Sequence, residues 1–170
     1  MGLTLNQYSS CCGYRFEGNA YPRVCQCCDN EFWDNPTPVI AVLQPIVDDE
    51  LLRGLVVIRR SIKPCIGELA LPGGFLEIEP WQVGGARELN EEGVAEIHPE
   101  SLLPFAPYPF DSPRNRRRLM IFCVAKPIHE TKLPPFRPNP ETSERLIIWE
   151  PTELCFATHT EAVRRFFETL

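Results

Sequence analysis

Residues 71 to 94, LPGGFLEIEPWQVGGARELNEEGV, restrict this chain more than any other stretch. A Pro-Gly-Gly turn precedes a polar run in which Glu88, Glu91 and Glu92 stand at i, i+3 and i+4. On a helix these three carboxylates point to one side, where like charges repel and weaken the helix. A hard divalent cation removes that cost, because Mg²⁺ takes oxygen ligands from carboxylates and substrate phosphates. Pro80 suits the first helical position, where its missing N–H is not needed, so the spacing predicts a helix from there to about Glu92. The plainer reading of Arg87-Glu88-Leu89-x-Glu91-Glu92 is a solvated face with an Arg87–Glu91 pair. Gly73 and Glu79, at fixed distances upstream, favour a metal site beside a turn that a phosphate can approach closely.

The spacing Gly-x5-Glu-x7-Arg-Glu-(apolar)-x-Glu-Glu, from Gly73 to Glu92, resembles the Nudix box. Two departures flank the carboxylates. The Gly often found just before the first Glu is replaced by Ile78, and the closing Gly, expected at position 94, falls at 93 with Val94 after it. A helix end one residue shorter, with Gly93 in the left-handed position, accounts for the second. The resemblance implies a Nudix-type α/β/α sandwich with a mixed sheet. It also implies hydrolysis of the pyrophosphate in a nucleoside diphosphate linked to another group, with Mg²⁺ or Mn²⁺ as cofactor. By motif position it assigns metal ligation to Glu88, Glu91, Glu92 and the Gly73 carbonyl. Glu88 is a ligand or the base for water, Arg87 and Glu79 hold the loop and orient Glu91, and Gly74 supports the turn.

A chain of 170 residues suffices for one full core with a small appendage. Its net charge of −6 argues against a general nucleic-acid binder, which needs a basic footprint. No apolar run approaches the ~18 residues of a membrane span. The opening MGLTLNQYSS lacks the regions of a signal peptide, so a cytoplasmic protein is expected.

Five of the eight cysteines lie in the first 28 residues, a clustering that in a cytosolic chain points to metal before disulfides. Residues 1–34 are therefore expected to form a zinc-ribbon-like module ahead of a hydrolase domain spanning 35–170. Cys25 and Cys28 make one Cys-x2-Cys knuckle. Cys12-Gly13 resembles the end of another, whose first position is Ser9, leaving the adjacent Cys11 as the substitute fourth ligand. One structural Zn²⁺ on Cys11, Cys12, Cys25 and Cys28 is the expectation, with Cys27 a bystander; a metal-free ribbon is the alternative.

Further along, Val39–Leu43 reads as a buried strand with Leu55–Ile58 as its partner, and 68–71 as a short strand into the turn. Arg59, Arg60 and Lys63 follow the second strand, and Arg59 is the candidate for a substrate phosphate. Gly84-Gly85 implies close packing of the helix, with Val83, Ala86 and Leu89 buried. The three prolines of 102–112 argue against a regular central strand. Within it, Pro107-Tyr108-Pro109-Phe110-x-Ser112 resembles the array downstream of the box in NADH pyrophosphatases, which implies substrate contacts from Tyr108 and Phe110. Arg116, in the basic loop 112–118, is a further candidate for anionic substrate. Leu119–Ala125 is a strand, and 127–140 a Pro-rich loop expected as a lid or a homodimer contact.

Glu144, with Glu141 as its alternative, precedes the strand Arg145–Trp149. In zinc-ribbon Nudix relatives that position supplies a further metal ligand. The last helix starts at Thr158 with a Thr158-x-x-Glu161 capping box. His159 is expected as a solvated helix-end residue. NADH or ADP-ribose are the favoured small-molecule substrates. The rivals are a Nudix-like nucleotide-binding sensor that does not cut, and a zinc-ribbon interaction protein.

Overall fold

The protein is seen in a computed structural model that describes residues 7–18, 20–50, 53–111 and 117–169, with backbone alone for 106–111 and 117. Its contacts divide it into two compact units, Met1–Pro36 and Thr37–Leu170. In the first, β1 (Arg23–Val24) and β2 (Glu31–Phe32) form a small antiparallel ribbon. Phe16 packs edge-on to Phe32, and the Arg23 guanidinium lies over the rings of Phe16 and Tyr21.

The second unit holds β3 (Thr37–Leu43), β4 (Pro45–Val47), β5 (Arg53–Arg60), β6 (Leu69–Ala70), β7 (Gly73–Phe75), α1 (Trp81–Glu91), β8 (Leu103–Asp111), β9 (Arg117–Val124), β10 (Ile128–His129), β11 (Thr142–Ile148) and α2 (Ala157–Glu168). One sheet runs β7-β3-β9-β8. The other runs β10-β4-β5-β11, with β6 added on β5. Both are mixed: β3 is parallel to β9 and β10 is parallel to β4.

The apolar runs VIAVL and LVVI are continuous because both faces of each strand are covered. Ile40, Val42, Val56 and Ile58 join Leu89 of α1 in one core. Ala41, Leu43, Leu55 and Val57 join Ala162, Val163 and Phe166 of α2 in the other. The sheets thus lie between two helices, the α/β/α arrangement expected.

Several expectations change. Val39–Leu43 does not pair with Leu55–Ile58; β3 lies between β7 and β9, and β5 between β4 and β11. Two strands buried on both faces carry no local mark of which neighbour each takes. Val83 is 40% exposed, whereas Ala86 and Leu89 are buried.

The Pro-rich stretch 103–111 is, in keeping with its prolines, not a central strand but one at the edge of its sheet. Pro104, Pro107 and Pro109 face Cys123, Ile121 and Leu119, and a register shift between Pro104 and Ala106 brings all three into the same phase. The N–H of Ala125, next in that alternating set, donates to the Leu43 carbonyl on the β3 side at 2.9 Å. The prolines therefore occupy positions where β9 asks for no N–H, and an edge strand tolerates them.

At α2 the capping box is absent. Phe156 is the N-cap and offers no side-chain bond, and Glu161 is taken by Arg164 and Arg165. Thr160 replaces Thr158 as the local hydroxyl, accepting the Leu154 N–H at 2.9 Å. His159 is buried, its Nδ1 accepting the Leu71 N–H at 3.1 Å and its ring edge-on to Phe122 and Phe156.

Candidate functional site

The site is built where β7 turns into α1. Gly73 has φ 149°, and a Cβ there would run into the Ile40 carbonyl of β3, so glycine alone permits this approach. Its N–H donates to Glu92 Oε2 at 2.8 Å, across 19 residues of chain. A Cβ on Gly74 would stand 2.5 Å from Glu88 Oε1, so the second glycine leaves room for that carboxylate. Gly85 serves the core side of α1, where a Cβ would meet Leu102 at 2.8 Å and Ile40 at 3.1 Å. This close packing offsets the helix cost of about 1 kcal/mol for a glycine.

The helix ends on Gly93 at φ 68°. Gly93 N–H bonds the Asn90 carbonyl and Val94 N–H bonds the Leu89 carbonyl, a Schellman closure. Outer carbonyls are capped from elsewhere: Arg145 of β11 reaches Gly93 and Val94 at 2.9 and 3.1 Å, and Asn139 reaches Glu91 at 3.0 Å. The Pro-rich loop is thus fastened to the end of α1, with Arg145 also bonding Pro134 and lying over Phe136. Arg145 was readable only as the first residue of a strand; its part in holding α1 depends on tertiary placement.

Glu88 is 5% exposed and Glu92 is 3% exposed. Burial pushes the Glu88 carboxyl up, against the pull of Arg87. Burial also pushes Glu92 up to about 8, opposed by the Gly73 N–H and reinforced by Glu88 and Glu141. Arg87 works from the outer side. It bonds Glu79 at 2.8 Å, Glu88 at 2.9 Å, Glu91 at 2.8 Å and the Phe75 carbonyl at 3.1 Å. Its hydrogen bond holds Glu79 below the usual carboxylate range. Glu92 is bonded instead by the Gly73 N–H, with the Arg60 charge acting on it. Glu88 and Glu92 thus offer buried carboxylate oxygens beside the glycine turn, the donor type a hard cation takes, while Glu91 is exposed on the Arg87 side and, among the described residues, no three acids bring their oxygens within 4.8 Å of one another.

Not every candidate residue gathers there. Glu144 pairs with Arg59 at 2.7 Å, and Arg59 also donates to the Gly67 carbonyl at 2.8 Å. The two are cross-strand partners, placed so by a bulge between Thr142 and Glu144. Glu141, the alternative, is the acid whose charge acts on Glu88 and Glu92. Arg60, one residue beyond Arg59 and so on the opposite face of the sheet, is the cation whose charge reaches Glu92. It bonds the Pro64 carbonyl at 2.9 Å and lies 5.3 Å over the Phe156 ring. Arg116 and the side chains of Tyr108 and Phe110 lie outside the described residues. Arg118, at the end of the basic loop, stacks over Phe75 at 5.1 Å.

In the N-terminal unit, the Sγ atoms of Cys12, Cys25 and Cys28 lie within 4.8 Å of one another. Cys11 is not in this group; its sulfur takes a bond from Asn30 at 3.0 Å. Ser9 is buried in its stead, its Oγ 3.5 Å from Cys12 Sγ and accepting the N–H groups of Cys11 and Cys12. Cys27 is not in this group either. Three thiols with a hydroxyl beside them can hold a thiophilic ion such as zinc.

No family model matches the chain, and no curated protein matches it. Solved structures do. A MutT/nudix family protein from Enterococcus faecalis superposes with TM-score 0.66 at 17% identity, covering 81% of this chain and 63% of that one. A NUDIX hydrolase from Nitrosomonas europaea gives 0.61 at 22% identity, covering 95% and 90%. The NUDIX domain of Shewanella oneidensis NrtR, complexed with ADP ribose, gives 0.64 at 16% identity, covering 79% and 88%. This chain spans just under two thirds of the Enterococcus protein it resembles, and nearly all of the other two. Among the described residues no helix is long and apolar enough to cross a membrane. The architecture built from these residues is therefore the Nudix/MutT fold.

Proposed function

We propose that the chain is a divalent-metal-dependent hydrolase that cuts the pyrophosphate of a nucleoside diphosphate linked to another group, with ADP-ribose and NADH as its substrate candidates. One observation carries this reading. Glu88 and Glu92, one helical turn apart, are both buried beside a glycine turn, where burial raises both carboxyls and the Glu88 charge adds to the shift at Glu92. The NUDIX domain that holds ADP ribose in its own structure shares this fold, which supports that candidate.

Glu88, Glu91, Glu92 and the Gly73 carbonyl would hold Mg²⁺ or Mn²⁺, and Glu141 replaces Glu144 as the acid completing the set. When bound, the ion neutralises phosphate oxygens and acidifies a coordinated water. The chain itself positions the groups. Arg87 fixes Glu79, Glu88 and Glu91 from outside, and the Gly73 N–H holds Glu92. Glu88, drawn towards protonation by burial, is the group suited to take a proton from water once charge around it is balanced. Arg60 replaces Arg59 as the cation for a substrate phosphate, since Arg59 is committed to Glu144. The Cys12, Cys25 and Cys28 group serves as a structural zinc site with Ser9 at its fourth corner, making residues 1–34 a small module attached to the hydrolase domain. Such a site has no role in the reaction.

The test is a panel of ADP-ribose, NADH, nucleoside-diphosphate sugars and nucleoside triphosphates with Mg²⁺ and with Mn²⁺, reading AMP or phosphate release. Glu92→Gln should reduce turnover at least about 100-fold with the circular dichroism unchanged. Unchanged turnover in that variant removes the assignment. Tight ADP-ribose binding by the wild type with no product would instead identify a sensor.

A further inference from the structure

The chain that carries Arg60 towards the glycine turn also brings two thiols together. Cys65 lies between β5 and β6, in the left-handed region at φ 65°. Cys155 lies just before α2, and its N–H donates to the Leu69 carbonyl at 2.9 Å, fastening it to β6. On the other side of β6 the Glu68 N–H returns to the Cys65 carbonyl at 3.2 Å. The Cys65 sulfur stands 3.9 Å from the Cys155 carbonyl oxygen, across 90 residues of chain, and the Cys65 thiol is near enough to help raise Cys155. Both are free and half-buried. Cys123, the other cysteine of this unit, is fully buried with its sulfur directed at the Ala41 carbonyl, so it does not compete.

We propose that Cys65 and Cys155 form an oxidative modification site, closing to an intramolecular disulfide when a low-molecular-weight disulfide, such as oxidised glutathione, outweighs its thiol. The Cys65 thiolate attacks that disulfide, forming a mixed disulfide and releasing one thiolate. Cys155 then gives up its proton and attacks the Cys65 sulfur, expelling the second thiolate. Two electrons pass to the external disulfide, and both protons end on the two thiols it yields. Burial pushes the Cys155 thiol up to about 12, which leaves it protonated and unsuited to the first, bimolecular attack; its place beside Cys65 is what serves the second. The backbone bonds on either side of β6 already hold both residues in neighbouring positions.

The bond would clamp the two segments that hold Arg60: the loop whose Pro64 carbonyl takes its Nε, and the segment whose Phe156 underlies its guanidinium. Redox state thus sets how firmly that cation is presented. This consequence rests on the hydrolase reading; the disulfide does not.

The experiment uses the full chain, reduced and then poised in a series of oxidised and reduced glutathione, with free thiols trapped and a non-reducing peptide map. The expected result is a Cys65–Cys155 linked peptide about 2 mass units below the sum of its reduced parts. A rise in Tm of about 5 °C or more should accompany it and be reversed by dithiothreitol. Cys65→Ser and Cys155→Ser should each abolish both. Because assignment is by peptide, oxidation of the N-terminal thiols is scored separately. The proposal is overturned if Cys65 and Cys155 are recovered alkylated, or as separate glutathione adducts, at a poise that has consumed the N-terminal thiols. It is equally overturned if the Tm rise persists in Cys65→Ser. Should a serine variant fail to fold, the wild-type map alone decides. With an active preparation, oxidation should change KM for the nucleotide more than kcat, whereas failure of the hydrolase reading leaves the map and the Tm shift intact.

Discussion

His159 should make this protein acid-sensitive by an amount the structure allows one to work out. The imidazole is buried, accepts the Leu71 N–H through Nδ1, and has Arg60 nearby; burial, then that charge, pulls it down from 6.5 to about 3. The folded state therefore holds the ring neutral, while the unfolded chain takes up a proton below about pH 6.5. Because the unfolded state binds more protons, stability falls as pH drops through that value and levels off near the folded pKa. Between about pH 7.5 and about pH 5 the loss from this one group is about 2 kcal/mol. Glu88 and Glu92 act in the opposite sense, since their raised values make the folded state the better proton acceptor as pH falls. The wild-type profile alone mixes these effects, so the comparison is with His159→Asn, which keeps an acceptor for Leu71 but does not titrate. Urea unfolding of both proteins in metal-free buffer is the assay. The variant should be the less stable at about pH 7.5 and should recover about 2 kcal/mol relative to wild type by about pH 5. A stability difference that stays constant over that range would refute a buried neutral histidine.

Four other outcomes follow from the same geometry. Gly74→Ala puts a methyl 2.5 Å from Glu88 Oε1 and should cost about 1–3 kcal/mol in urea unfolding, with loss of Mg²⁺-dependent turnover. Glu141→Gln should weaken Mg²⁺ activation about tenfold or more, read as the shift in half-activating concentration, while Glu144→Gln should stay within about twofold. Gly93→Ala keeps the same contacts at φ 68° and should cost about 1–2 kcal/mol by strain alone, measured as a fall in Tm. Elemental analysis should find about one zinc per chain, lost in Cys25→Ser and kept in Cys11→Ser.

What could be read in advance was what depends on local periodicity. Glu88 and Glu92, one turn apart, are buried together while Glu91 is exposed on the Arg87 side, and Gly93 announces a helix end wherever the chain goes. What could not be read was which side of a sheet a residue faces once a bulge intervenes. Thr142 pairs with Arg60 and Glu144 with Arg59, so two residues on β11 answer one step on β5. That extra residue turns Glu144 onto the Arg59 face and leaves Glu141 to act on the buried acids. The same alternation separates Arg59, which is tied up, from Arg60, whose charge reaches Glu92. The prolines of β8 repeat the lesson: three of them in one strand look prohibitive until a one-residue shift sets all of them on the side where no N–H is needed. In each case a one-residue step in register decides the chemistry, because neighbouring residues on a strand point to opposite faces. The carboxylate helix was legible because its own geometry fixes its face; the residues that complete the site across from it sit on strands, whose faces are assigned only by pairing.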